Sequence, residues 1–287
     1  MKQNIEIKAL NGISHEIIHK AFVEAFSDYQ VQVDVPLWKL ELMLSRRSYR
    51  PALSLGAFRE GKMIGFVLNG FREWQGISTA YDVGTGVIPD ARRQGITSEM
   101  LKMAQQIMRE AQIKRYLLEV IDTNENAEKL YRSQGFETVR TFSCFRGMPD
   151  KVLPRHFTGI ERVERLDFEK MRAFNDIQPS WQNAEEAILA TPADYLIMTV
   201  NRDNRIVGYG VMDRATGDVA QIAIDPAYRR LGLGSDLLYA MVHTLKPEKI
   251  SMLNVVSDYL PLIALLEVHG MRAYVGQYEM MMTLDVV

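Results

Sequence analysis

Apolar residues recur along this chain in two periods, and the order of the periods is the same in each half. Behind Ser14, a residue type that caps helix starts, Ile17, Ile18, Ala21, Phe22 and Ala25 fall at helical spacing and predict a first helix. "REGKMIGFVLNG" (Arg59 to Gly70) reads as strand, tight turn and strand, with Gly61 at the turn. A third strand ends near Val87. A long helix follows a glycine turn, with Met100, Leu101, Ala104, Ile107, Met108 and Ala111 on its apolar face. Tyr116 to Ile121 reads as a buried strand, Asn126 to Gln134 as a helix, and closing strands complete the half.

The second half repeats this order. "RRQGITSEML" (Arg92 to Leu101) returns as "RRLGLGSDLL" (Arg229 to Leu238). With Gly95 set on Gly232, Pro89 falls on Pro226 and Val87 on Ile224. "RDNRIVGYGVMD" (Arg202 to Asp213) matches the first hairpin, with Asp203-Asn204 at its turn, and "LLEVHGM" (Leu265 to Met271) matches "LYRSQGF" (Leu130 to Phe136). Two domains of ordinary size are therefore expected, at residues 1–147 and 148–287. The join falls in the polar, proline-bearing stretch from Arg146 to Gly159. Hairpins combined with a strand–helix–strand unit imply an α/β (mixed α+β) class, each domain being a mixed, mostly antiparallel sheet flanked by helices.

Charge and composition narrow the function. The net charge is −2, without a basic run, which argues against nucleic acid as a partner. Cys144 is the single cysteine, so an internal disulfide is impossible and a reducing, cytoplasmic setting is expected. Met1 to Gly12 lacks the apolar core of a signal peptide, and no apolar run nears the roughly 20 residues that span a bilayer, so no membrane partner is expected. Methionines such as Met100, Met103, Met108 and Met241 read as core filling.

The glycine turns carry the chemistry. A turn between a strand end and a helix start presents unpaired backbone N–H groups and the positive end of the helix dipole, which suits a phosphate or pyrophosphate. Glycine lets the backbone approach the ligand, and Arg92, Arg93, Arg229 and Arg230 add positive charge. Neither G-x-x-x-x-G-K-[ST] nor G-x-G-x-x-G occurs, so the turns are not nucleotide loops of those kinds.

"VIPDARRQGITSEML" followed by "LLEVIDTNENAEKLYRSQGF" resembles the GNAT (Gcn5-related) N-acetyltransferase superfamily, whose acetyl-CoA loop reads [QR]-x-x-G-x-[GA]. The second copy fits through Arg229, Gly232 and Gly234; the first has Arg92 and Gly95 but Thr97 at the last position. The resemblance implies two tandem GNAT-type domains and acetyl-CoA as co-substrate, without a metal. It implies a primary amine of a small molecule or peptide as acceptor, attacked directly in a ternary complex by a monomer or homodimer. Cofactor contacts then fall on Val87, Ile88, Arg92, Arg93, Gln94, Gly95, Ile96, Thr97, Ser98 and Asn124 in the first copy. In the second they fall on Ile224, Arg229, Arg230, Gly232, Gly234 and Ser235.

Amine acetylation needs a neutral amine, a donor for the developing oxyanion and a proton for the departing thiolate. Tyr131 stands where the family places its general acid. Glu119 matches the general base of the branch that acetylates protein N-termini, and Asp82, on the preceding strand, is a rival base. The second copy holds Asn254, Tyr259 and Leu266 in place of Glu119, Asn124 and Tyr131, which implies an active first domain beside a second that keeps the loop without the acid. Tyr259 or Tyr274 could supply that proton from a new position.

Two other function classes compete. One is a non-catalytic acyl-CoA-binding or sensing protein. The other is a zinc hydrolase, since "HEIIH" (His15 to His19) fits H-E-x-x-H; the next histidine is His156, the metzincin extension is missing, and a helix flank is the better reading. The acceptor would be chosen between Tyr29 and Tyr49, with Trp38, Arg46 and Arg47, and by the loop holding Trp74, although packing is the better reading of these residues.

Overall fold

A computed structural model describes residues 5–28, 35–153 and 159–285. The chain forms two compact units that are interleaved in sequence. The first comprises Met1–Val120, Asn124–Val139 and Glu279–Val287; the second comprises Ile121–Thr123 and Arg140–Tyr278.

The first unit runs β1 (Ile5–Ala9), α1 (His15–Ala25), α2 (Leu37–Arg46), β2 (Leu55–Arg59), β3 (Lys62–Trp74), β4 (Ile77–Val87), α3 (Ile96–Glu110), β5 (Arg115–Ile121) and α4 (Glu125–Ser133). Its strands lie in sequence order from β1 to β5. Every neighbouring pair is antiparallel except β4 with β5, which the α3 crossover makes parallel. Both hairpins turn through two successive positive-φ residues, Glu60-Gly61 and Gln75-Gly76, the conformation that matches strand twist. Ile18, Phe22, Leu40, Leu44, Phe66, Met100, Leu101, Ala104 and Met108 build the core. Ile17 and Met103 depart from expectation: both helix faces turn them outward, at 45% and 38% exposure. Ala111 lies just past the end of α3 and is exposed. Ser14 occupies the N-cap position without capping; its hydroxyl bonds the exposed Glu16 carboxyl and holds it below its usual range.

The second unit continues from β6 (Glu137–Gly147, from Arg140 on) through β7 (Ile160–Val163), α5 (Phe168–Met171), α6 (Glu185–Ala190), β8 (Tyr195–Arg202), β9 (Arg205–Asp213), β10 (Val219–Ile224), α7 (Leu233–Leu245), β11 (Ile250–Val256), α8 (Leu260–Val268) and β12 (Arg272–Thr283, to Tyr278). Strands β7 to β10 form an antiparallel sheet. The β8–β9 turn again uses two positive-φ residues, Asp203 and Asn204. A core of Leu196, Val200, Val207, Leu237, Met241 and Ile250 holds α7 to the strands. The expected connector begins inside β6, at Arg146 and Gly147, and then turns at Pro149–Lys151. Among the described residues no helix is long and apolar enough to cross a membrane.

Candidate active site

In the first unit β4 and β5 pair only at Thr79, Ala80 and Tyr81, and then diverge. From Asp82 to Val87 one edge of β4 therefore faces a gap, where an extended ligand could pair with the backbone. A bulge sits at the mouth of the gap. Leu68 pairs with Gly84 but Asn69 with Asp82, leaving Val83 unmatched.

The bulge decides which side chains meet. A Cβ on Gly84 or Gly86 would point at Phe22 or Ala25 of α1, whereas one on Gly65 would meet Met100 of α3. Residues opposite one another in a ladder share a face. Thr85 and Val87, opposite Val67 and Gly65, lie on the α3 face, and the slip at Val83 puts Asp82 there too, opposite Asn69. Tyr81, opposite Gly70, lies on the α1–α2 face.

Each face carries one carboxylate. On the α3 face Tyr131 Oη donates to Asp82 Oδ2 at 3.2 Å, and Thr85 Oγ1 donates to the same oxygen at 2.7 Å. Both Tyr131 and Asp82 are buried, and Tyr131 is fixed edge-on against Phe136. Burial pushes the Asp82 carboxyl up to about 6, against the opposing pull of Thr85, Tyr131, the Gly84 N–H and Arg47. Its Oδ1 has no partner meeting hydrogen-bond geometry among the described residues. On the other face Tyr81 Oη donates to Glu119 Oε2 at 3.1 Å, and Arg47 Nη1 donates to the Val83 carbonyl at 2.8 Å. Burial, then Glu119, holds the Tyr81 hydroxyl well above the usual tyrosine range.

At the glycine turn Arg93 and Gly95 take positive φ, 61° and 80°, and Gly95 caps α3 with no side-chain bond. The first intrahelical bond runs from Glu99 N–H to the Gly95 carbonyl, so the N–H groups of Ile96, Thr97 and Ser98 point out of the helix end. Such a run of amides is an anion cradle. Ser98 Oγ accepts from Gln134 and Gln94 reaches the Asp90 carbonyl, while Val87 and Ile88 are buried at the strand end.

Arg92 corrects an expectation. Its guanidinium turns away from the amides, donates to the Val87 and Ala25 carbonyls and forms a bidentate pair with Asp28 at 2.5 and 2.8 Å. It is a clamp between α1 and the end of β4. Arg229 does the same: it donates to the Ile224 and Phe174 carbonyls and pairs with Asp176 at 2.6 and 3.0 Å. The signal was present in "AFSD" (Ala25 to Asp28) and "AFND" (Ala173 to Asp176), which share their aspartate. Asn124 is the N-cap of α4, its Oδ1 accepting from Ala127 N–H.

The second unit keeps the frame but carries other side chains. Its bulge falls at Ala220, the Val83 position, and Arg230 and Gly232 take positive φ, 63° and 82°. Val219 and Leu266 stand in for Asp82 and Tyr131. Among the described residues, no ladder joins β10 and β11; an isolated parallel bridge links Asp218, just before β10, to Ser251 of β11. Below it opens a cavity of about 590 Å³, lined by Ile224, Arg230, Gly232, Gly234 and Ser235 at the turn and by Gln221, Asn254 and Ser180 deeper in. These polar groups are neutral and engaged: Asn254 Nδ2 donates to Ser180 Oγ, and Gln221 takes the Tyr209 hydroxyl and donates to the Asn183 carbonyl. Tyr259 lines the cavity, but its hydroxyl donates to Asp176 at 2.7 Å and burial pushes it up to about 12. Tyr274 lies outside the lining, under the Arg146 guanidinium.

The remaining expectations resolve singly. His15 Nδ1 lies 3.3 Å from Glu41 and His19 Nε2 2.6 Å from the Val35 carbonyl, and no metal-capable cluster occurs among the described residues. His156 and Tyr29 lie outside the described residues. Trp74 is buried and packs; Trp38 is 57% exposed at the start of α2, whose other end carries Arg46 and Arg47.

Comparison with known proteins bears on the family and the fold. The model of the Acetyltransferase (GNAT) family matches residues 15–136 and again 160–271. A tandem GNAT protein from the clavulanic acid biosynthesis pathway superposes with TM-score 0.71 at 13% identity, over 98% of this chain and 99% of its own. A GCN5-related N-acetyltransferase from Sphaerobacter thermophilus gives 0.72 at 12%, over 98% and 96%. A Pyrococcus horikoshii protein described as a candidate acetyltransferase gives 0.73 at 14%, over 100% and 92%. No curated protein matches the sequence. Matched twice along its length, the chain belongs to the GNAT acetyltransferase family as a two-domain member.

Proposed function

We propose that the protein is an acetyl-CoA-dependent N-acetyltransferase in which the first unit performs the reaction and the second holds acyl-CoA without turning it over. The observation that carries this reading is the meeting of Tyr131 and Asp82 beside the β4–β5 gap, in the unit that also presents the Arg93–Ser98 amide cradle. The CoA pyrophosphate would lie on the amides of Gly95, Ile96, Thr97 and Ser98, and the pantetheine arm along Asp82–Val87. A β4 amide at the bulge would polarise the thioester carbonyl. The acceptor amine would enter from the α1–α2 face, where Glu119 can take its proton and Arg47 borders the approach. Tyr131 would protonate the departing thiolate. The acceptor is a primary amine of a small molecule or peptide.

The cavity behind the Gly232 turn supports the second part. It has the cradle and room for a ligand, but neutral amides where an acid and a base would be needed. Calorimetric titration with acetyl-CoA tests both parts. Two sites are expected in the wild type and one in Gly232→Glu, with thiol release kept by that variant and lost in Tyr131→Phe. Wild-type turnover in Tyr131→Phe would overturn the assignment.

A further inference from the structure

We propose that Asp82 serves the leaving group rather than the amine, passing a proton through Tyr131 to the sulfur of CoA. This rests on the acetyltransferase reading above and assigns its second carboxylate. Their places on the paired strands β4 and β5 make Asp82 and Glu119 look like rivals for one task. The bulge at Val83 separates them instead, with Glu119 and Tyr81 on the α1–α2 face and Asp82, Thr85 and Tyr131 on the α3 face. A base for the incoming amine and a donor for the outgoing thiolate work from opposite sides of the carbonyl carbon, and the two faces divide the carboxylates accordingly.

The hydrogen bond fixes the rest. With Asp82 ionised, the Tyr131 hydroxyl is spent on Asp82 Oδ2 and points away from any sulfur. With Asp82 protonated, the same 3.2 Å contact reverses: Asp82 donates to Tyr131 Oη, and the tyrosine hydrogen is released toward the gap. Collapse of the tetrahedral intermediate then breaks the C–S bond, whose electron pair goes to sulfur. Sulfur takes the Tyr131 proton, and Tyr131 takes the Asp82 proton. The amine proton passes to Glu119, which gives it up to solvent as products depart while Asp82 recovers a proton from solvent, so charge and protons balance over a cycle. The charged and titratable groups around Asp82 are Tyr131 from α4, Tyr116 from β5, Tyr81 from β4 and the Arg47 guanidinium after α2. Hydrogen bonds from Thr85, Tyr131 and the Gly84 N–H favour the carboxylate, as does the Arg47 charge, and burial outweighs them. The second unit has lost both members together, to Val219 and Leu266, as a functional pair would be lost.

The test follows thiol release from acetyl-CoA with hydroxylamine as a small surrogate amine, in wild type, Asp82→Asn, Glu119→Gln and Tyr131→Phe. Asparagine keeps the shape but cannot relay a proton. The relay predicts that Asp82→Asn lowers kcat by at least ~10-fold. The KM for acetyl-CoA should stay within about twofold. At saturating hydroxylamine the wild-type kcat should fall on the alkaline side, and that limb should vanish in Asp82→Asn while surviving in Glu119→Gln. An Asp82→Asn enzyme with wild-type kcat and pH profile, beside a dead Tyr131→Phe, overturns the relay and leaves the acetyltransferase reading standing. Full activity in both Asp82→Asn and Tyr131→Phe overturns the relay together with the assignment of Tyr131 as the acid, whereas no thiol release by the wild type with any amine overturns the acetyltransferase reading. Should the wild type refuse hydroxylamine, proton uptake on CoA binding at pH 6.5, from calorimetry in two buffers, decides. The relay requires more uptake in wild type than in Asp82→Asn, and equal uptake overturns it.

Discussion

The two glycine turns are nearly superimposable in design, and the ground beneath them is not. Both place an arginine and a glycine at positive φ, both clamp the preceding arginine to an aspartate, and both follow a strand with a bulge at the same position. Beneath the first, Tyr131 and Asp82 are buried in contact. Beneath the second, Val219 and Leu266 stand in their places, and the cavity there presents the side chains of Gln221, Asn254 and Ser180. Features that bind a cofactor and features that transform it are separable: the former lie in backbone conformation, the latter in two or three side chains.

The comparison is broken most directly at Tyr131. Tyr131→Phe should lower kcat by roughly 10²–10⁴-fold, the range of a lost general acid, whereas Leu266→Phe should leave it unchanged. Steady-state thiol release separates the two. The turns come next. Gly95→Glu and Gly232→Glu each put a negative, β-carbon-bearing residue at positive φ in an anion cradle, and each should weaken acetyl-CoA at its own unit by about 100-fold or more. Site stoichiometry by calorimetry would fall from two to one in either case; loss of both sites from one change would show that the turns are not independent.

Asp82 sharpens the comparison through pH. A carboxyl raised from 3.8 to about 6 by burial adds stability that is full below pH 4 and lost as pH rises through 6. Relative to wild type, Asp82→Asn should therefore gain stability between pH 4 and pH 8, by up to about 3 kcal/mol at 1.4 kcal/mol per pH unit. Val219→Asp, placed in the other unit, should show the opposite trend. Denaturant melts at the two pH values measure both. The smallest effect belongs to the clamps. Arg229→Ala removes a half-exposed pair and two carbonyl bonds, and should cost about 1–2 kcal/mol with only a few-fold change in acetyl-CoA affinity. A loss of binding comparable to Gly232→Glu would return the arginine to the cradle.

Much of this was legible in sequence because much of it is local. Positive φ at Gly61, Gly95 and Gly232, the hairpins and the long helices follow from a few neighbouring residues. What escaped depends on register and distance. Simple alternation along β4 would set Asp82 on the face of Gly84 and Gly86, toward α1; only the unmatched Val83 turns it to Tyr131. No local rule announces such a bulge. The Arg92–Asp28 pair joins residues far apart in sequence, so the arginine read as a free charge near a phosphate. Met103 and Ile17 followed helical periodicity yet sit at the edge of the apolar stripe, where burial depends on what the helix meets.

The interleaving of the units has a consequence for synthesis. The segment Glu279–Val287 counts with the first unit, and within it the Leu284 N–H bonds the Lys114 carbonyl while Met282 lies against the space beside Gly135. A ribosome that has finished Ser133 has therefore made every helix of the first unit but not its last strand. The nascent first unit must wait, with the edge of β5 unpaired, until Glu279–Thr283 of β12 has emerged. Residues 1–147 made alone should behave as an unfinished, association-prone fold, and the first unit should complete its sheet only after the second has been made.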